Sequence, residues 1–278
     1  MSDEDTMRFA ICNEMFEGWK IGEVFRYAKE VGYEGVEIAP YTLAESVNAL
    51  SGTDRKRIRE EARQGGVAIV GLHWLLVSPK GLYITHPDAS IRKRTREYFV
   101  DLIGCCADLG GDRMVLGSPK QRDVMDGVSY DEAWGYAVDL LRAIAPVAEE
   151  RKVTLCFEPL APSETNFVNR AAEAVRLVKE VNSPHVRIIL DAKAMSSEAI
   201  PIPDVIRQSG PWVAHVHAND PNLRGPGFGN LDFAPIVQAL RDIRYDGWVS
   251  VEVFDFSMDP RRTATESLTY LRKVFGIR

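Results

Sequence analysis

Eight strand-like stretches alternate with helix-like ones, with no linker or composition break between them. That rhythm predicts an α/β protein with a parallel sheet. Two further observations narrow the fold to a single-domain (β/α)8 TIM barrel. The 278 residues suit one such barrel, which takes about 250. Eight units also close into a barrel more readily than they form an open doubly wound sheet or two open halves. Residues 1–278 are read as one domain, with 1–7 an acidic, flexible N-terminus.

Each element has its own local signal. Arg8–Cys12 reads as the first strand, and a helix from Lys20 to Val31 is stopped by Gly32. Gly35–Ala39 follows and ends at Pro40. Thr53 or Asp54 can cap a charged helix that ends at Gly65 and Gly66. Val67–His73 is the third strand. Pro87 and Asp88 open a long helix to Leu109, before Gly110 and Gly111. Met114–Gly117 is the fourth strand, and Ser129 caps a helix to Arg151. The fifth strand runs from Thr154 to Glu158, with a helix from Arg170 to Val181 behind it. Arg187–Asp191 is the sixth strand, and a short helix spans Pro203–Gln208. Val213–His217 is the seventh. Asp232 caps a helix to Ile243, and Tyr245–Gly247 turns into the eighth strand, Trp248–Phe254. A last helix covers Pro260–Phe275.

Composition excludes several classes. No apolar run approaches the ~18 residues that span a bilayer, so no membrane partner is expected. The N-terminus lacks the basic-then-apolar order of a signal peptide. The four cysteines follow no zinc or redox spacing, and Cys12 and Cys156 lie in apolar runs as small hydrophobes. The reading is a reduced, cytoplasmic protein. A net charge of -6 argues against nucleic acid, whose binders usually carry a basic face.

Barrel active sites lie at the C-terminal ends of the strands. The polar residues there include Glu37, His73, the Ser118–Arg122 loop, Glu158, Asp191, His217 and Glu252. Glu158, Asp191, His217 and Glu252 fall on strands five to eight, one per strand–helix unit. A carboxylate at the end of an apolar strand is costly unless something pairs with it. Three carboxylates and one imidazole suit a hard or borderline divalent cation, Mn²⁺, Mg²⁺ or Co²⁺. Without a cation, converging carboxylates repel and some must take up protons. His215, two residues before His217, shares its face and reads as packing beneath the ligands. Lys193 could contact a substrate oxygen or neutralise the acids. Lys120 and Arg122 could meet an anion or be solvated. His86 and His185 sit in turn contexts and read as non-chemical.

Cys156-Phe157-Glu158-Pro159, Leu190-Asp191, His215-Val216-His217 and Tyr245–Glu252 resemble the sugar isomerase/epimerase superfamily of xylose isomerase-like barrels. The nearest branch is that of the D-tagatose/D-psicose 3-epimerases. The resemblance runs over the whole chain and is strongest from Glu158 to Glu252. It implies an Mn²⁺-type ion held by Glu158, Asp191, His217 and Glu252. It also implies a keto-sugar substrate, with Glu158 and Glu252 exchanging the proton beside the carbonyl. It places Arg224 as a substrate contact and Glu37 as an acid facing the pocket, with His73 and Lys193 as further candidate contacts.

One departure is Ala194, where the epimerases carry a histidine three residues after the strand-six aspartate. Sugar recognition must therefore differ, and the 74–87 and 118–122 loops are its expected sources. The alternative activity is a lyase or dehydratase that begins with the same proton removal. A DNA-repair endonuclease sharing the barrel would need a histidine-rich site, and this chain has five histidines in all. A catalytically silent sugar-binding subunit is disfavoured by the four ligand types together. Helix faces could support a homo-oligomer.

Overall fold

Runs of Val, Ile and Leu too short for helices form strands whose two faces both need cover. Residues 7–277 are described by a computed structural model. It has strands β1 (Arg8–Cys12), β2 (Gly35–Ile38), β3 (Ala68–Leu72) and β4 (Arg113–Leu116), then β5 (Thr154–Phe157), β6 (Val186–Asp191), β7 (Val213–Ala218) and β8 (Trp248–Val251). Each pairs in parallel with the next, and β8 pairs with β1, so the sheet closes with no free edge. The chain is a TIM barrel in one domain. The ladder shifts register between Val36 and Glu37 and between Ile188 and Ile189. Such irregularities re-aim the side chains that follow, and here those include Glu37 and Asp191.

The outer layer is α1 (Ile21–Val31), α2 (Gly52–Gly65), α3 (Ala89–Leu109), α4 (Tyr130–Arg151), α5 (Ala171–Val181), α6 (Ala192–Met195), α7 (Ile202–Ser209), α8 (Ala234–Asp242) and α9 (Pro260–Phe275). Sequence and structure differ at some ends. The cap of α2 is Ser51, whose hydroxyl accepts from the Asp54 amide at 3.2 Å while Asp54 accepts from the Ser51 amide at 3.1 Å. Asp54, expected as a candidate cap, is thus the other half of a capping box. Asp232 stands one residue before the α8 cap and accepts from the Ala234 amide. The single-turn α6 carries no periodicity to announce it; Asp191 caps it.

Packing follows the pattern read from the strands. Cys12 and Cys156 are buried strand residues, and all four cysteines are free. Residues 1–6 of the expected flexible N-terminus lie outside the described residues, whereas Met7 is buried against the core. Among the described residues no helix is long and apolar enough to cross a membrane.

The tightest backbone contact is between β3 and β4. A Cβ on Gly71 would lie 1.8 Å from the Arg113 carbonyl oxygen. Only glycine fits there, because that neighbour is main chain and cannot swing away. Gly71→Ala is expected to lower folding stability by about 1–3 kcal/mol, seen as an earlier urea midpoint. A midpoint equal to that of the parent would mean the two strands can separate locally without cost.

Candidate active site

The strand ends converge as the barrel requires. Glu158 follows β5, Asp191 ends β6, His217 is on β7 and Glu252 follows β8. All four are buried, and one donor atom from each lies within 4.8 Å of the others. Separate local devices aim each side chain. Asp191 accepts from the Ala194 amide at 2.7 Å as the cap of α6, and its other oxygen accepts from the Asn219 side-chain amide. A Cβ at Gly117 would stand 1.9 Å from Glu158 Oε2, so the glycine after β4 leaves room for that carboxylate. The Glu158 carbonyl accepts from Arg122 Nη1 at 2.6 Å. Glu252 Oε1 accepts from the Trp74 indole at 2.8 Å.

His217 is gripped from two sides. Its Nε2 lies 3.2 Å from both oxygens of Glu37. Its Nδ1 lies 2.9 Å from Glu252 Oε2. Nδ1 and that Oε2 are both buried, and neither has a directed hydrogen-bond partner. Two buried polar atoms facing each other this closely call for positive charge between or beside them. A second ring proton is poorly directed along that line; a cation needs no such direction. Donor chemistry and geometry therefore fit a divalent ion.

The acidities carry the same demand. Burial pushes the Glu158 carboxyl well above its usual range, and the Glu252 and Asp191 charges add to this. Burial, then Glu252, raises Asp191 to about 6. Burial would also raise Glu252, but His217 overrides it and holds Glu252 below its ordinary value. Burial disfavours an imidazolium at His217, yet Glu252 and Glu37 raise that ring well above the usual histidine value. The cluster has too much negative charge for its dielectric, and within it only His217 opposes that charge, with Arg122, Lys193 and His73 acting from outside.

A second layer lies beneath. Glu37 has no exposed surface and accepts from His215 Nε2 at 2.8 Å as well as facing His217. His73 is equally buried, with Nε2 2.7 Å from Glu14 Oε2. Glu37 and His73, expected at the mouth as substrate contacts, thus sit below it. Glu37 instead backs a ligand-type histidine, as carboxylates behind metal-site imidazoles do. Sequence reasoning missed Glu14, although it too stands just past a strand end, after β1. It also missed Glu164, the partner of Lys193.

Lys193 and Arg224 lie nearer the surface. Lys193 Nζ donates to Glu164 Oε1 at 2.6 Å and stands 4.1 Å over the Phe254 ring. Arg224 Nε donates to Asp255 at 3.0 Å. His86 Nδ1 accepts from the nearby Asp88 amide, and His185 Nδ1 lies 2.9 Å from the Val153 carbonyl. Above the four ligand-type residues opens a cavity of about 390 Å³ walled by Trp74, Ser118, Glu158, Glu164, Glu252 and Phe254. Its size is that of a small-molecule site. Trp74 adopts a left-handed φ of 51°, and its ring stacks on Phe254 at 6.2 Å and lies 6.0 Å from Tyr41.

Comparison with known proteins gives a consistent set of relatives. The sequence profile described as "Xylose isomerase-like TIM barrel" matches residues 25–274. A D-psicose 3-epimerase of Agrobacterium fabrum is 31% identical over 243 residues, covering 84% of this chain and 80% of that protein. A 3-dehydro-D-guloside 4-epimerase of Escherichia coli is 26% identical over 273 residues, covering 96% and 99%. The crystal structure of a D-psicose 3-epimerase in the presence of D-fructose superposes with a TM-score of 0.86 at 25% identity, over 97% of this chain and all of that one.

The raised pKa of Asp191 has a consequence for stability. Its folded value of about 6 exceeds the reference of 3.8, so the fold holds this proton more tightly than the unfolded chain does. The resulting stabilisation is complete below about pH 4 and disappears as pH rises through about 6. In cation-stripped protein, Asp191→Asn is therefore expected to gain on the parent as pH rises, on the order of 3 kcal/mol between those limits. Paired urea titrations across the window check this; a constant difference would show that Asp191 titrates normally.

Proposed function

The chain belongs to the xylose isomerase-like TIM barrel family, and within it we propose a divalent-metal-dependent epimerase or isomerase of a ketose or keto-sugar. The observation that carries this is the Glu158–Asp191–His217–Glu252 cluster, with His217 Nδ1 and Glu252 Oε2 facing each other unsatisfied. The ketose epimerases among its relatives support the reaction class. Mn²⁺ suits the donor set best, with Mg²⁺ or Co²⁺ as substitutes. Bound there, the ion supplies positive charge where a substrate oxygen becomes negative.

The chain's own residues do the rest. Glu158 and Glu252 stand three strands apart, and both wall the cavity. Epimerisation removes a proton from one face of a carbon and returns one to the other, which needs two such groups. Glu252, held ionised by His217, is placed to take the proton. Glu158 is placed to give one to the opposite face; in the reverse direction the roles exchange. Trp74 fixes one Glu252 oxygen through its indole N–H, leaving the other to the cluster. Trp74 and Phe254 provide apolar wall that limits water beside the reacting carbon. Lys193 and Arg224 reach substrate hydroxyls from the rim, the former carried by Glu164.

The reading makes two linked predictions. Glu158→Gln and Glu252→Gln are each expected to lower kcat by about 10²–10⁴-fold, measured on a keto-sugar panel with Mn²⁺ present. In deuterated water the product should gain solvent deuterium at the carbon beside the carbonyl and keep every other atom. Full turnover in either variant would remove that glutamate from proton transfer. Loss of water or an aglycone would instead assign the lyase reaction, which starts from the same abstraction.

A further inference from the structure

Among the described residues the largest fully buried side chain belongs to Arg122. A guanidinium is costly to take out of water, and two of its three nitrogens, Nε and Nη2, have no hydrogen-bond partner. Its ring-like plane lies 4.9 Å from Phe157. The third nitrogen, Nη1, donates to the Glu158 carbonyl at 2.6 Å and to the Leu116 carbonyl at 3.3 Å. Nothing in general packing calls for so expensive a group at this point.

The register of the sheet indicates its use. The β4–β5 ladder ends at the pair Leu116 and Phe157. Glu158 is the next residue, past the last cross-strand pair, with only a long 3.3 Å amide bond back to Leu116. Its main chain would be free to rotate there, and the carboxylate would swing with it. Arg122 spans the two strand ends with one nitrogen. The segment that carries it is itself anchored: Ser118 Oγ accepts from the Leu76 amide at 3.0 Å, and the Gln121 carbonyl accepts from the Ile84 amide at 2.7 Å. Gly117, in the same segment, leaves the space the carboxylate enters.

We infer that Arg122 is a positioning residue, clamping the carbonyls of Leu116 and Glu158 so that the Glu158 side chain is held in the ligand cluster. This rests on the reading of Glu158 as ligand and acid–base group given above. Its hydrogen bonds go to main-chain carbonyls alone, so it acts through the backbone at the ends of β4 and β5.

The test uses full-length Mn²⁺-loaded protein and the variants Arg122→Met and Arg122→Lys, each checked for parental circular dichroism. Arg122→Met removes the clamp; it is expected to weaken Mn²⁺ binding by about 10–100-fold and to lower kcat with little change in KM. Arg122→Lys keeps one donor able to reach both carbonyls and is expected to recover most of both losses. Mn²⁺ affinity within twofold of the parent in folded Arg122→Met overturns the inference. So does a folded Arg122→Lys whose Mn²⁺ affinity falls tenfold or more below that of the parent, and this arm decides the matter if Arg122→Met does not fold. A parent protein that binds no divalent ion, or a fully active Glu158→Gln, marks failure of the functional reading instead.

Discussion

The structure depends on confining three carboxylates and an imidazole in one nearly dry space. Charges of one sign cannot share such a space unless something opposes them. Glu158, Asp191 and Glu252 converge at the end of a closed barrel with only His217 inside the cluster to balance them. The surroundings are shaped around that imbalance. Glu37 sets the ring of His217, Trp74 occupies one oxygen of Glu252, and the α6 backbone and Asn219 occupy those of Asp191. What these devices leave over is the unsatisfied pair at 2.9 Å. A dication would satisfy both atoms, and the proposed reaction would use its charge where negative charge builds on a substrate oxygen.

The barrel achieves this without long-range architecture. Each ligand-type residue sits within one residue of the end of its strand. The ladder fixes Asp191 and His217, which pair across β6 and β7, but it stops short of Glu158 and Glu252. Local devices therefore take over: a one-turn helix capped by Asp191, a glycine at 117, an indole from the β3 end. Separate devices explain how four different backbones can present donors to a common point with no shared motif in the sequence.

Much of this was legible before any coordinates. The β-α rhythm identified the barrel, because strand length and glycine–proline punctuation are local properties. The four ligand-type residues were legible because each interrupts an apolar run at the same place in its unit. Depth was not. Glu37 and His73 follow the same grammar as Glu158, yet they lie a layer lower. Whether a strand residue points at the mouth or beneath it depends on stagger between strands and on bulges such as that at Val36–Glu37. No single strand records either. Arg122 read as a loop cation that could meet an anion or be solvated, because arginine in a polar stretch is usually exposed. Its burial follows from the way the loop folds back over β5, a tertiary fact.

The order of the strands has an outcome for how such a protein can change. All four cluster residues come from β5 through β8, one contiguous half of the cylinder. The Tyr41 and Trp74 rings, and most of the outer wall from Ser118 to Gln121, come from the loops of the other half. The two halves are nevertheless coupled, because Trp74, Arg122 and Glu37 of the first half hold Glu252, Glu158 and His217 of the second. Exchanges in the first half that spare those residues would reshape the cavity wall while leaving the four cluster residues in place.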